Sequence, residues 1–127
     1  MNGEFLRLIE RFAGHRILLV GDFMLDRYIF GDAERISPEA PVPVLRVIER
    51  LDRVGGAGSV ALNVVALGAR VVCCGLLGED NFGSRVLAAL TEAGCATDGL
   101  IRVQDRPTIT KTRLVGARRL PIATQHE

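Results

Sequence analysis

The sequence has little of what several classes of protein require. It contains three cysteines and no Cys-x-x-Cys pair, so neither a disulfide framework nor a zinc site is indicated. A formal net charge of +1 argues against a nucleic-acid binder driven by a general basic field. No apolar run approaches the length of a membrane span. We therefore expect a cytoplasmic protein without a nucleic-acid, membrane or metal partner.

What remains is the composition of a globular domain. The 127 residues are 48% apolar and 24% charged, which excludes intrinsic disorder and suffices for a sizeable core. Of the cationic residues all but one are arginine, and Lys111 is the exception. Cys73 and Cys74 lie in an apolar run, where cysteine acts as a small hydrophobe and is expected to pack in the core.

The apolar pattern predicts an α/β fold. Residues 16–20 form a continuous apolar run, which is typical of a parallel strand covered on both faces. Residues 59–67 are apolar almost all round and predict a buried helix. Residues 28–50 are half apolar and interrupted by prolines, which favours a small antiparallel flap. The other predicted elements are a helix near 5–12, a strand at 70–77, a helix from the Asp80-Asn81 cap to Gly94, and strands at 100–103 and 108–115.

Asp26 is the first candidate for a binding residue. It follows the first buried strand, and ligands of open α/β sheets bind at the carboxyl ends of the strands. A carboxylate there can accept hydrogen bonds from the hydroxyls of a polyol. The alternative is that Asp22 and Asp26 cap turns or the next helix.

A second candidate is the glycine-rich segment that begins at Gly55 and Gly56. Glycines allow close approach of a ligand to the backbone, and the helix that follows favours an anion at its N-terminus. Ser59 and Asn63 share one face of that helix. Asn63, expected to be buried, must either bond to neighbouring backbone or face a polar ligand.

Residues 56–61, with Gly56, Gly58 and Ala61, satisfy the G-x-G-x-x-[GA] pattern of dinucleotide-binding domains, and Glu79 and Asp80 lie about twenty residues on. That pattern requires a buried strand directly before the glycines. Residues 46–53 are heavily charged instead, so a dinucleotide-binding domain is the least favoured alternative.

Lys111 and Arg113 form a third candidate. In a strand they point to one face, and two cations there could bind a phosphate, lysine as a mobile point charge and arginine as a fork. A solvated strand face is the alternative.

Together these segments resemble the ribokinase-like (PfkB) carbohydrate kinases, and among them the heptose-phosphate kinases. The resemblance runs from residue 16 to about 118. Its most specific part is the Ser-Pro-Glu-Ala-Pro-Val-Pro stretch at residues 37–43. The other segments that carry it are residues 19–28, 31–32, 55–63, 66–68 and 107–113.

The resemblance implies a three-layer α/β sandwich with a mostly parallel sheet and a small β-lid, formed by residues of about 28–50 and 108–116. It implies ATP-dependent phosphorylation, with Mg-ATP, of D-glycero-D-manno-heptose 7-phosphate at the 1-position, in ADP-heptose and lipopolysaccharide core synthesis. Asp26 would bind sugar hydroxyls, while Gly55 and Gly56 would let the backbone close on the sugar. Ser59 stands where the family usually has asparagine. The lid of the family often pairs two subunits, so a homodimer is expected.

In this family the catalytic aspartate, its Gly-Ala-Gly-Asp motif and the ATP site lie in a later part of the chain. The 127 residues contain no such motif. We therefore expect residues 1–127 to be the N-terminal part of one kinase domain, with substrate-binding residues, no catalytic residue, no ATP bound and no kinase activity alone. The alternative is a dimerisation or substrate-binding module that acts with a partner supplying the ATP half.

Overall fold

A computed structural model describes residues 3–117 of the chain. In chain order the elements are α1 (Gly3–Glu10), β1 (Arg16–Val20), β2 (Phe23–Ile36), β3 (Pro43–Gly56), α2 (Ala57–Ala66), β4 (Arg70–Gly78), α3 (Asn81–Glu92), β5 (Ala96–Val103) and β6 (Thr110–Ala117). None of the helices in this part of the chain combines the length and apolar content needed to cross a membrane.

The first sheet has the strand order β1-β4-β5, and both pairs are parallel. The helices α2 and α3 connect its strands, as the predicted α/β fold requires. Asp80 caps α3 by accepting the backbone N–H of Gly83 at 2.7 Å, and Gly94, at φ +88°, follows its end. The predicted parallel sheet and the predicted cap are therefore both confirmed.

The core lies between this sheet and its helices. Cys73 is fully buried, so the prediction of core packing is confirmed for it, whereas Cys74 is only half-buried and lies outside the buried cluster. Alternate residues of β4 point to this side, since strand side chains alternate between the two faces. The buried cluster comprises Phe23, Leu25, Ala61, Val71, Cys73, Leu77, Val86, Leu90, Cys95 and Leu100.

The opposite face of the sheet is open to solvent. Leu18, Val20 and Ile101 are 65%, 67% and 59% exposed. The parallel register places Leu18 beside Val72 and Ile101 beside Leu76, so these apolar side chains share one face. Parallel sheets are normally covered on both faces. In residues 3–117 the helices cover only one, so the prediction that β1 is covered on both faces is wrong for this part of the chain.

The prediction that α2 is buried all round is wrong. Only Gly58 and Ala61 of this helix are buried, while Val60 is 47% exposed and Asn63 is exposed as well. An apolar helix surface becomes buried only where another element packs against it. The helix packs on the sheet along one face only.

A second sheet has the strand order β3-β2-β6. β2 and β3 are each 14 residues long and are joined by residues 37–42, the short connection of a β-hairpin. Residues Arg27–Asp52 and 112–117 belong to a compact unit, distinct from the unit of the first sheet. Within it Gly31 is buried, and a side chain there would meet the carbonyl oxygen of Arg46 at 2.9 Å.

Candidate functional site

Asp26 and Gly55 lie in direct contact at the start of β2 and the end of β3. A Cβ built on Gly55 would collide with the carboxylate oxygen Oδ2 of Asp26 and lie 3.0 Å from its Cγ. Gly55 is buried and Asp26 is half-buried. Only glycine therefore fits beside this carboxylate, and the structure brings these two predicted site residues together.

Gly56 completes the turn from β3 into α2. Its φ of +58° is one that residues with a side chain rarely adopt, and a Cβ there would collide with the carbonyl oxygen of Asp22. The same carbonyl accepts the backbone N–H of Ala57 at 2.9 Å. No side chain caps α2 at Gly56. Asp22 thus holds the turn through its backbone, while its carboxylate is exposed.

Met24 is the site residue that the sequence analysis missed. Its Cγ lies 3.2 Å from the position of a Cβ on Gly55, and its Cε lies 3.0 Å from the corresponding position on Gly56. Met24 and Asp26 are two apart on β2 and so point to the same side of the strand. That alternation was available from the sequence. Met24 gives the site an apolar wall next to a carboxylate.

Ser59 and Asn63 both lie exposed on α2. The prediction that Asn63 is buried is therefore wrong, and its amide does not need a ligand as a hydrogen-bond partner. Their assignment to substrate now depends on the family resemblance alone.

The two cations of β6 have different surroundings. Lys111 is exposed and belongs to the unit of the first sheet, whereas Arg113 belongs to the second unit. The guanidinium carbon of Arg113 lies 4.9 Å from the ring centroid of Tyr28, within the distance of a cation–π contact. Tyr28 in turn stacks on Phe30, with ring centroids 6.3 Å apart.

A cleft of about 330 Å³ opens beside Asp80, and Asp26 is not among its lining residues. Its charged lining residues are mostly acidic, so it does not suit an anionic ligand such as a sugar phosphate. The lining residues are Glu79, Asp80, Gln104, Asp105, Arg106 and Pro107.

The dinucleotide pattern does not fit the described residues. The dinucleotide pattern needs two parallel strands of one sheet around its helix, but β3 and β4, which flank α2, lie in different sheets. Across residues 3–117 no group of three or more His, Cys, Asp or Glu side chains could hold a metal ion.

Comparison with known proteins decides the family. The model of the pfkB family of carbohydrate kinases matches residues 15–125. The chain belongs to this family. The chain is 53% identical over 107 residues to the D-beta-D-heptose 7-phosphate kinase of Bordetella bronchiseptica. These residues make up 84% of this chain and 34% of that protein.

A second relative is the bifunctional protein HldE of Gluconacetobacter diazotrophicus, 42% identical over 91% of this chain and 24% of that protein. The chain thus spans about a third or less of the length of these curated relatives.

Among solved structures, the ribokinase of Cryptococcus neoformans in complex with ADP is similar. It is 25% identical, with a TM-score of 0.61, over 80% of this chain and 30% of that one. The predicted ribokinase-like three-layer α/β class, with its mostly parallel sheet, is confirmed by this likeness.

Proposed function

We propose that these residues form the sugar-binding part of a kinase that phosphorylates D-glycero-D-manno-heptose 7-phosphate at its 1-position with Mg-ATP. The substrate is taken from the Bordetella relative, whose name describes a heptose 7-phosphate kinase. The observation that carries the proposal is the contact between Asp26 and Gly55, which leaves a carboxylate at a turn made of glycines.

The chemistry of this turn suits a sugar. A carboxylate accepts hydrogen bonds from hydroxyl groups, and such charge-assisted bonds are roughly twice as strong as neutral ones. Met24 supplies an apolar surface for the C–H face of a sugar ring. Gly56 is exposed, so a ligand can approach its backbone, whereas the space beside Gly55 is filled by the carboxylate of Asp26.

We assign Lys111 to the 7-phosphate. It is exposed on β6, in the same unit as Asp26, and an ammonium group binds phosphate as a mobile point charge. Arg113 is proposed as a second phosphate ligand because it alternates with Lys111 along the strand. Its contact with Tyr28 would hold the guanidinium plane in one orientation.

Phosphoryl transfer is not proposed for the 127 residues by themselves. It requires positioned metal ions and a base that orients the attacking hydroxyl. Residues 3–117 hold no candidate metal cluster, and the sequence has no Gly-Ala-Gly-Asp motif. We expect the purified chain to bind the sugar phosphate without turning over ATP, and heptose-dependent release of ADP would contradict this.

Calorimetric titration with D-glycero-D-manno-heptose 7-phosphate tests the proposal. We expect Asp26→Asn to weaken binding about tenfold, since it removes one charged acceptor. Asp98→Asn is the matched control, because Asp98 is an exposed aspartate of β5. Titration with inorganic phosphate separates sugar recognition from phosphate recognition. Equal affinities for the wild type and Asp26→Asn would overturn the role of Asp26.

We further propose that the second sheet pairs two copies of the chain. Each of its three strands carries an exposed apolar side chain: Ile36 on β2, Ile48 on β3 and Leu114 on β6. Sedimentation should then show a dimer that Leu114→Lys dissociates. Leu67→Lys, which changes an exposed leucine of the first unit, is the control and should not alter the dimer. A monomeric wild type at high concentration would contradict the proposal.

A further inference from the structure

Thr108 is the one buried polar side chain within residues 3–117, with 5% of its surface exposed. Its hydroxyl accepts the backbone N–H of Gly78 at 2.9 Å and donates to Oδ1 of Asp80 at 2.8 Å. Its own backbone N–H donates to Oδ2 of Asp80, also at 2.8 Å. Thr108 is thus held through both its backbone and its side chain. We refer to Asp80 and Thr108 as the clasp.

The role of Asp80 goes beyond capping α3. A cap needs one carboxylate oxygen, and Oδ1 fulfils that role by accepting the N–H of Gly83. Oδ2 instead binds Thr108, which is 28 residues away in sequence. Arg102 supports the same turn through its Nε, which donates to the carbonyl of Gly78 at 2.9 Å.

The glycines around the clasp leave it room. A Cβ on Gly83 would lie 2.7 Å from the Thr108 hydroxyl, and a Cβ on Gly78 would lie 2.7 Å from Oδ2 of Asp80. Both distances are shorter than real Cβ contacts. The packing at this point therefore depends on the threonine and the aspartate occupying these positions together.

The clasp is linked to Asp26 through the backbone. The residue after Thr108 is Ile109, whose carbonyl accepts the backbone N–H of Leu25 at 2.9 Å. The Leu25 side chain is 2% exposed and packs in the core. Asp26 is the next residue, and its carboxylate faces Gly55. All of these residues belong to the unit of the first sheet.

We propose that Asp80 and Thr108 are positioning residues for Asp26. The clasp fixes the direction of the Ile109 carbonyl. Through its hydrogen bond to the Leu25 N–H, that carbonyl fixes the backbone at the start of β2, next to Asp26. The inference rests on the proposed sugar site, which it deepens. A binding group held by a shell of hydrogen bonds keeps its geometry, whereas an error of about 1 Å is enough to impair a site.

Amide hydrogen exchange of the labelled 127-residue chain tests the structural half. Thr108→Val removes the hydroxyl and keeps the shape, and we expect it to accelerate exchange at the Leu25 amide about tenfold. The control amide is that of Arg70, which donates to His15 in the same unit at 2.7 Å. Its exchange should stay unchanged. Thr108→Ser keeps the hydroxyl and should restore the wild-type rate at Leu25.

Titration of the same variants with heptose 7-phosphate tests the functional half. We expect Thr108→Val to bind about tenfold more weakly and Thr108→Ser to bind like the wild type. A purely structural role would lower the melting temperature without changing the affinity of the folded molecules. If Thr108→Val does not fold, Asp80→Asn serves instead, because asparagine still caps a helix.

Three results would overturn the inference. The first is that Thr108→Val leaves the exchange rate of the Leu25 amide unchanged. The second is that it accelerates exchange equally at Leu25 and Arg70. The third is that it accelerates exchange at Leu25 but leaves the affinity for heptose 7-phosphate unchanged. Failure of the wild type to bind the sugar phosphate would count against the proposed function. That failure differs from a failure of the inference, because the exchange rates would still decide whether the clasp orders the start of β2.

Discussion

The guanidinium of Arg27 and the carboxylate of Asp52 form a two-pronged ion pair. Nε donates to Oδ1 at 2.7 Å and Nη2 donates to Oδ2 at 2.8 Å. The two side chains are only 18% and 14% exposed. Such parallel bonds are geometrically specific and are among the strongest polar contacts of proteins. The pair links the start of β2 to the end of β3 within the second unit.

Breaking this pair should destabilise the chain. Arg27→Met keeps the length of the side chain but removes both hydrogen bonds to Asp52, and we expect the free energy of unfolding to fall by about 2 kcal/mol. Arg46→Met is the matched control, because Arg46 binds Glu34 at 2.8 Å with both side chains largely exposed, at 68% and 54%. Exposed pairs contribute about 0.5 kcal/mol. Urea titrations giving equal losses for both variants would contradict the prediction.

Asp80 should make the stability of the chain depend on pH. Burial by itself would raise the pKa of Asp80, but hydrogen bonds from Gly83, from Thr108 and from Phe82 together lower it below its ordinary value. The contribution to stability is therefore fully present above the unfolded pKa of about 3.9, and it is lost as the pH falls through the lower folded pKa.

We expect the urea midpoint of the wild type to drop more steeply than that of Asp80→Asn as the pH falls below about 4, since the variant has no carboxylate to protonate at this position. Asp98→Asn changes an exposed aspartate and serves as the control. Parallel plots of the urea midpoint against pH for the wild type and Asp80→Asn would show that the Asp80 carboxylate does not contribute to the pH dependence of stability.

Cys73 should be unreactive in the folded chain. Burial, and after it the neighbouring Cys95 thiol, raise the pKa of Cys73 to about 12. The thiolate is the reactive form, so labelling at pH 8 should require unfolding. We expect a disulfide reagent to modify Cys74, which is half-buried, before Cys73 and Cys95, and all three cysteines in denaturant. Rapid labelling of Cys73 in the native state, read by peptide mass spectrometry, would contradict this.

Gly55→Ala should displace the carboxylate of Asp26. The new methyl group would occupy the position of Oδ2, so we expect the binding of heptose 7-phosphate to be lost and the free energy of unfolding to fall by about 1–3 kcal/mol. Gly3→Ala is the control, since nothing lies within 4 Å of its added Cβ. Undiminished binding by Gly55→Ala would show that the ligand does not depend on this contact.

The sequence was sufficient to predict the first sheet and the positions of its local turn signals. The apolar run of β1, the cap at Asp80 and the glycines at 55 and 56 are local signals, and each matches the structure. The length of β2 was underestimated because Gly31 and polar neighbours interrupt its pattern. In the structure the close approach of the Arg46 backbone explains that glycine.

The clasp could not be predicted because its partners are far apart in the chain. A threonine before an alternating strand has no distinctive pattern, and its burial arises only when Asp80 and Gly78 are brought to it by the fold. The exposure of Asn63 was missed for the opposite reason. Its apolar neighbours on α2 indicated burial, yet no described element covers that side of the helix.

The open face of the first sheet affects the heat capacity of unfolding. Apolar surface that is already in water when the chain is folded adds nothing to this heat capacity, which for an ordinary domain is about 12–15 cal/mol/K per residue. We expect scanning calorimetry to give a smaller heat capacity of unfolding per residue. Leu18→Thr, at an exposed position, should leave this heat capacity almost unchanged. Leu77→Ala, at a buried position, should lower the melting temperature sharply. A value in the ordinary range would mean that these side chains are covered in solution. The calorimeter thus measures how much of the sheet remains hydrated in the folded chain.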